Sequence, residues 1–578
     1  MNNGVEKFGF IWPGKHEAVL EAGRQTDKVL RPVIKDSVNF NTTENVYIEA
    51  DNLDALKIIL KSYMRRVKMI YIDPPYNTGG DFIYHDDFAQ SEEESQISLG
   101  FEDDSGRNYS SKIYDIQKRG RPRFHSEWCS MIYPRLRLAH MLLSDDGVIF
   151  ISIDDNEQAK LRMICDEIFG ENNFVVCLVW ERAYAPKNDA KYISSSHDYI
   201  LMYAKSIDDF TIGRLPRTEQ ANARYSNPDN DPRGVWKSGD LLVKTYSATY
   251  DYPITLPSGR IVEPPPGRCW RLSRETFAQK VKDNRIWFGA DGDGVPRNKT
   301  FLSELKHEGM SPISIQYYKD VGHSQEGAQE LAKILGGLYF DGPKPVRLIQ
   351  RLMTLANLKP DSIILDFFAG SSTTAHAVMS LNAQDSGKRK FIMIQIAEPC
   401  PEKSEARKAG YETISQIGRE RIRRAGENLM CDNQQLTTNN YTLDIGFRAF
   451  KVASSNYRDI FQFPNEVTQD SLDDMAENIK HDRTDLDLLF MCVTDFGLPL
   501  SLPYHTEIVD GFTVHIYGDN DIAACFGENI SEEAVKFVAK LKAGHSVFRE
   551  ACFDGLCSRI NMEQVFDAYS GGKKITIL

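Results

Sequence analysis

At 578 residues the chain exceeds what one hydrophobic core usually serves, so several domains are expected. Its 41% apolar and 26% charged composition is that of a globular protein in water, and no apolar run approaches the roughly 18 residues of a membrane span, which excludes a helical membrane protein. The net charge of −13 argues against a uniformly basic nucleic-acid binder, yet it is uneven: residues 426–578 hold 12 Lys/Arg against 24 Asp/Glu, while residues 211–320 hold 17 against 13.

The ten cysteines form no CxxC pair, so reduced thiols, a cytoplasmic location and no metal site are expected. The start, MNNGVEKFGFIWPGK, lacks the basic and apolar regions of a signal peptide. Residues 1–44 read as an irregular N-terminal arm. Residues 46–49 then read as a strand, Asp51 as a helix cap, and Leu53, Leu56, Ile59 and Leu60 as the apolar face of a helix. A carboxylate such as Asp51 at a strand tip also suits a ligand amine.

Val67–Ile72 is an apolar, β-branched run of strand length, stopped by Asp73-Pro74-Pro75-Tyr76. Each proline fixes its own φ and pushes the preceding residue towards extended geometry, so Asp73 and Tyr76 sit in a stiff turn. Open α/β sheets place ligands at such strand ends. The amine of a nucleobase is a poor nucleophile because its lone pair is delocalised into the ring. An Asp side chain and a proline carbonyl can each accept one of its N–H groups, and an aromatic ring beside them can stack on a base drawn from the duplex.

Residues 81–125 form a long polar connection, acidic at 86–95 and basic at 118–123, where phosphate contact and plain solvation are both open. A helical pattern over 125–143 contains Pro134, which predicts a kink or a fresh start. Strands are expected at 148–153, 175–180 and 197–205, and the alternation of strand and helix predicts a doubly wound α/β layer over 45–205. It stops over 206–335, a segment rich in Pro, Gly, Arg and aromatics that include Tyr225, Trp236, Trp270, Trp287 and Tyr317. Such residues serve phosphate and base-edge contacts, or the small core of an inserted domain.

Alternation resumes over 336–425. Residues 361–381 read as strand, small-residue turn and helix, and residues 391–399 as a strand ending in the acid Glu398, 28 residues beyond Gly370. A tight turn that admits a ligand to the backbone, followed by a second-strand acid for ribose hydroxyls, is the pattern of a nucleotide-type cofactor site. Residues 426–578 are acidic and mixed α/β, without a catalytic motif, and are assigned to assembly.

Taken together, DPPY at 73–76, the blocks FIWPGKHEAVLEA, NVYIEADNLDALK, LLSDDGVIFISIDDNE, HDYILMYAK, LDFFAGSSTTAHAV and GYETISQIGRERIRRAG, and their order resemble the modification (Mod) subunit of type III restriction–modification systems, a β-class adenine-N6 DNA methyltransferase. The resemblance implies a Rossmann-like methyltransferase sheet, an inserted target-recognition domain at 206–335 and a C-terminal domain. Asp73 and the Pro74 carbonyl would hold the adenine amine, with Pro75 completing the turn and Tyr76 stacking on the base. Phe368, Ala369 and Gly370 would line the S-adenosylmethionine pocket, with Ser372 standing where the common FxGxG motif has its last glycine. Glu398 would bind ribose, Asp51 would lie near the cofactor's adenine, and Lys344 falls in the block flanking its methionine end. Implied partners are double-stranded DNA, a second Mod copy, and a restriction subunit with helicase and nuclease, since no GxxxxGK[ST] loop occurs here. Methylation of N4 of cytosine, modification of a glutamine amide, and a silent recognition subunit are the alternatives. Cys400, although it follows a proline, is read as structural.

Overall fold

Residues 9–78, 122–186, 188, 190–306, 309–432, 442–458, 478–553, 555–570 and 575–578 are described by a computed structural model. Their contacts divide the chain into two compact units, one of residues 1–213 with 313–578 and one of residues 214–312. The second unit is narrower than the insert expected at 206–335, because residues 313–335 return to the first unit as strand and helix.

The first unit is built on a ten-stranded sheet. In chain order its early strands are β1 (Val29–Pro32), β2 (Val46–Glu49), β3 (Val67–Ile72), β4 (Leu143–Ile153), β5 (Phe174–Glu181) and β6 (His197–Ala204). The second unit carries a three-stranded sheet from β7 (Trp236–Asp240), β12 (Ile286–Trp287) and β13 (Arg297–Phe301). Its short ladders join β8 (Leu242–Val243) to β11 (Cys269–Trp270) and β9 (Ile254–Thr255) to β10 (Ile261–Val262). The large sheet resumes with β14 (Ile315–Gln316), β15 (Ile363–Asp366), β16 (Lys390–Gln395) and β17 (Arg448–Ala453).

The strand order is β1-β17-β2-β16-β15-β3-β4-β6-β5-β14. The six strands from β17 to β4 are parallel, β6 is antiparallel to β4, and β5 turns back to run with the central strands. β2 and β3 are buried along their whole length, which is why they read as near-continuous apolar runs without alternation. The chain leaves β3 by a helix, Pro122–Leu142, and returns as β4 on one side. From β15 it leaves by a helix, Thr373–Asp385, and returns as β16 on the other. Crossovers between parallel strands are right-handed, so these two wind onto opposite faces, and the strand order reverses between β15 and β3. A crevice opens at their carboxyl ends, where such sheets hold ligands.

The helices group accordingly. Asn52–Tyr63, Lys15–Glu21 and Gln158–Phe169 pack on Pro122–Leu142, while Val346–Leu355, Ser324–Leu335 and Ile414–Asp432 gather with Thr373–Asp385. Pro134 lies inside Pro122–Leu142 without ending it, so of the two expectations there the fresh start is absent. The segment expected as an arm is more ordered than that: β1 adds an antiparallel edge to β17. Arg31 on β1 reaches the buried Asp487 of helix Asp485–Asp495, so C-terminal residues help close the main core. Beyond them lies a five-stranded sheet: β18 (Tyr504–Val509), β19 (Phe512–Tyr517), β20 (Ile522–Cys525), β21 (His545–Phe548) and β22 (Ile575–Ile577). The acidic stretch at 86–95 and basic residues 118–121 lie outside the described residues.

In the second unit, Trp270 belongs to a small core with Leu241, Tyr252, Ile254, Leu256, Phe277 and Ile286, while Tyr225 and Trp236 are also buried and Trp287 packs on Trp236 at 5.4 Å. Tyr317 belongs to the first unit and is exposed.

Candidate active site

β3 ends at Ile72 and delivers Asp73, Pro74, Pro75 and Tyr76 to the crevice. Two side chains anchor the turn from outside. The fully buried Trp128 donates its indole N–H to the Pro75 carbonyl at 2.7 Å. Asn77 adopts a left-handed φ of 59°, a conformation Asn tolerates better than most residues, and its amide donates to the buried Glu157 carboxylate. Glu157 also meets His125 and, at 3.1 Å, Lys160. A turn with two prolines thus has its outer carbonyl and its exit residue fixed by the elements that follow β3.

Within the turn, the Tyr76 hydroxyl donates to one oxygen of Asp73 at 2.8 Å, and the Lys344 ammonium pairs with the other. Burial, and then the Asp73 charge, raise the Tyr76 phenol well above its ordinary pKa, so it stays a donor. The Lys344 ammonium lies 5.3 Å from the centre of the Tyr76 ring and 5.8 Å from that of Trp180. Trp180 is itself fixed by donation to the Gly322 carbonyl at 3.0 Å. Asp198 on β6 is buried beside this cluster. Burial pushes its carboxyl up to about 6, although Arg182 lies 2.9 Å away.

Across the crevice, β15 ends in Asp366, whose carboxyl burial raises to about 7. It accepts from the Thr374 hydroxyl at 2.6 Å and from the Phe368 N–H at 3.1 Å, so it clamps the turn between strand and helix. Phe368 and Ala369 are nearly buried, and Gly370 has a φ of 50° with its N–H donating to the Gln395 side chain at 2.7 Å. A Cβ on Gly370 would approach the Phe340 ring to 3.2 Å, so a side chain there meets both strain and crowding. Ser372 also has a positive φ, 61°, and is fully buried; its hydroxyl faces Gly418 and Tyr47 of the neighbouring elements.

Glu398 sits three residues past the end of β16, not on it. The strand stops at Gln395, and the Glu398 N–H closes a tight turn on the Ile396 carbonyl. Its half-buried carboxyl is raised by desolvation, and no side-chain or backbone donor meets it among the described residues. Asp51 caps helix Asn52–Tyr63 through the Leu53 N–H at 2.8 Å and pairs with Arg135 at 3.2 Å.

Several residues here carry no sequence motif. Arg135, fully buried, holds both Asp51 and the Asn52 side chain, and Asn52 donates to the Phe367 carbonyl at 2.7 Å. This chain of contacts ties the tip of β2 to the turn after β15. Arg421, also fully buried, donates to Ser371 at 3.0 Å and Thr373 at 2.6 Å and braces that turn from behind. At the tip of β2 the Glu49 carboxylate is opposed by burial but held down to about 2 by Lys451, Ser415 and Arg419. An arginine beside a proline on an apolar helix face was the available hint for Arg135.

A family model for N6/N4 DNA methylases matches residues 67–405, from the first residue of β3 to past Glu398. The StyLTI Mod subunit of a type III restriction–modification enzyme from Salmonella typhimurium is 36% identical over 466 residues, 80% of this chain and 67% of that protein. The chain belongs to the Mod subunits of type III restriction–modification enzymes. The EcoPI Mod subunit of Escherichia phage P1 matches this Mod chain at 32% identity over 92% of its length and 84% of the relative's. A DNA modification methylase from Thermus thermophilus, solved with S-adenosyl-L-methionine, superposes with a TM-score of 0.29 and 12% identity over 70% of the Mod chain and 99% of its own, too distant to carry an argument.

Proposed function

We propose that this Mod subunit transfers a methyl group from S-adenosylmethionine to N6 of an adenine drawn out of double-stranded DNA. The observation that carries the reading is the meeting, at one strand-order switch, of the Asp73–Tyr76 turn after β3 with the Phe368–Gly370 turn after β15. The residues fit the methyl donor. The turn is closed to side chains at Gly370, Phe368 and Ala369 form an apolar wall, and Glu398 offers a desolvated carboxylate suited to a ribose diol. Asp51, just past β2, is the further acid that this reading assigns to the donor, while Lys344 faces Asp73. When bound, the cofactor supplies an electrophilic methyl on a sulfonium.

The chain's own residues do the rest. A carboxylate offers about four lone-pair sites, so Asp73 can accept an amine N–H while keeping Tyr76 and Lys344. With the Pro75 carbonyl occupied by Trp128, the Pro74 carbonyl is the turn's acceptor for the second N–H. Both bonds localise the amine lone pair for in-line attack, and the stiff turn limits the motion lost on reaching that geometry. The electron pair of the broken methyl–sulfur bond stays with sulfur, the surplus N6 proton passes to water, and no bond to the enzyme forms.

Asp in the turn supports adenine over N4 of cytosine. A second Mod copy, a helicase–nuclease subunit as partner and a cytoplasmic setting belong to the same reading. No helix among the described residues is long and apolar enough to cross a membrane. The first test is single-molecule sequencing of plasmid DNA from a methylase-free host with and without the gene. N6-methyladenine at one short asymmetric site is expected with the wild-type gene and none with Asp73→Ala; near-wild-type marking by that variant would refute the role of Asp73.

A further inference from the structure

The edge of the sheet that carries Asp73 continues into a feature that methyl transfer does not use. β5 runs in the same direction as β3, so its end at Glu181 opens on the same edge. There the Tyr318 N–H donates to the Glu181 carboxylate at 3.1 Å, and the Ser324 N–H donates to the Arg182 carbonyl at 3.0 Å. These bonds stitch residues 318–324 to the exit of β5 and gather three rings. Tyr184 stacks on His323 with centroids 5.4 Å apart and planes 26° apart. Tyr318 stacks on His323 at 5.7 Å and 15°, and Tyr184 lies 5.7 Å from Tyr318.

The cluster is rigidly mounted and open. His323 accepts the Glu326 N–H on Nδ1 at 2.9 Å, which fixes its ring at the start of helix Ser324–Leu335. The residue before it, Gly322, holds the indole of Trp180, over which Lys344 reaches to Asp73. Yet Tyr184 is 60% exposed, and Tyr192 and Ile193 on the same connection are 85% and 89% exposed. Rings that pack on one another and still face water leave an apolar surface without a partner.

We propose that Tyr184, backed by Tyr318 and His323, stacks on a base of the DNA immediately beside the methylation target. The proposal rests on the methyltransferase reading above. Extracting an adenine leaves its neighbours with an unstacked face. An aromatic ring covers such a face whatever the base, and a ring already fixed by two others loses little rotamer freedom in doing so. Continuity with the catalytic turn through Trp180 and Lys344 favours a nucleobase over a protein partner.

The test compares wild type, Tyr184→Ala and Tyr184→Phe as full-length chains. Tritiated S-adenosylmethionine and unmethylated plasmid give KM for DNA and kcat, and a short duplex carrying 2-aminopurine beside the mapped adenine reports stacking. Tyr184→Ala is expected to raise KM for DNA about tenfold and to leave the probe bright, while Tyr184→Phe stays within about twofold of wild type. Wild-type KM and a wild-type probe signal in Tyr184→Ala, with transfer by the wild type intact, would overturn this proposal alone. Equal losses in both variants together with weakened cofactor binding would also overturn it, since that pattern marks a structural role. Absence of transfer by the wild type would overturn both readings.

Discussion

Replacing Lys344 with methionine removes the charge that faces Asp73 while keeping an unbranched chain to lie against the rings of Tyr76 and Trp180. The ammonium pairs directly with the carboxylate, and its side chain is only 10% exposed against 28% for Asp73. A hydrogen bond to a charged group contributes about 1.5–3 kcal/mol. Because Asp73 keeps partial access to water, the lower part of that range applies. Each 1.36 kcal/mol is tenfold in rate, so kcat is expected to fall roughly ten- to thirtyfold if Lys344 orients Asp73 for the amine. KM for S-adenosylmethionine should move less than about threefold in the same initial-rate assay with saturating plasmid, on the same free-energy scale. The opposite split, an unchanged kcat with a tenfold higher KM for the cofactor, would refute this reasoning and assign Lys344 to the methyl donor. Tyr76→Phe separates the two contacts on Asp73: it keeps the ring and removes only the second donor.

Other contacts give further expectations. Trp128→Phe leaves the Pro75 carbonyl without its donor, at a cost of about 1–3 kcal/mol, so kcat should drop at least severalfold with cofactor affinity intact; unchanged kcat would show that the turn needs no such brace. Arg135→Met strips Asp51 and Asn52 of their shared donor and loosens the link to the Phe367 carbonyl. Calorimetric titration with S-adenosylmethionine should then show affinity reduced by about tenfold, the scale of losing one charged hydrogen bond. Asp366 gives a pH signature. Its carboxyl titrates at about 7 when folded and near 3.9 when unfolded. The unfolded chain therefore releases this proton first, and stability falls as pH rises from about 4 to about 7, by roughly 4 kcal/mol at most, then levels. Asp366→Asn should lose that part of the decline in denaturant midpoints between about pH 4.5 and 7.5; identical profiles would show the carboxyl is not held protonated.

The chain's own order of residues determined the local pieces. Buried parallel strands need continuous apolar runs, so β2, β3, β15 and β16 stand out as such, and the proline pair and the Gly370 turn mark where two of them end. Ser531 before helix Glu532–Leu541 is equally legible, because a cap satisfies backbone donors one turn away. What adjoins those ends is a different matter. Lys344 meets Asp73 across 271 residues, Asn52 meets Phe367 across 315, and Arg31 meets Asp487 across 456. The end of β16 at Gln395 follows from pairing with β2, whose last strand residue is Glu49, and not from the apolar pattern that runs on towards Glu398. Hydrophobic periodicity reports which face of an element is buried. Only the tertiary structure decides which polar side chain stands opposite, because that depends on strand order and crossover hand, which no single element encodes.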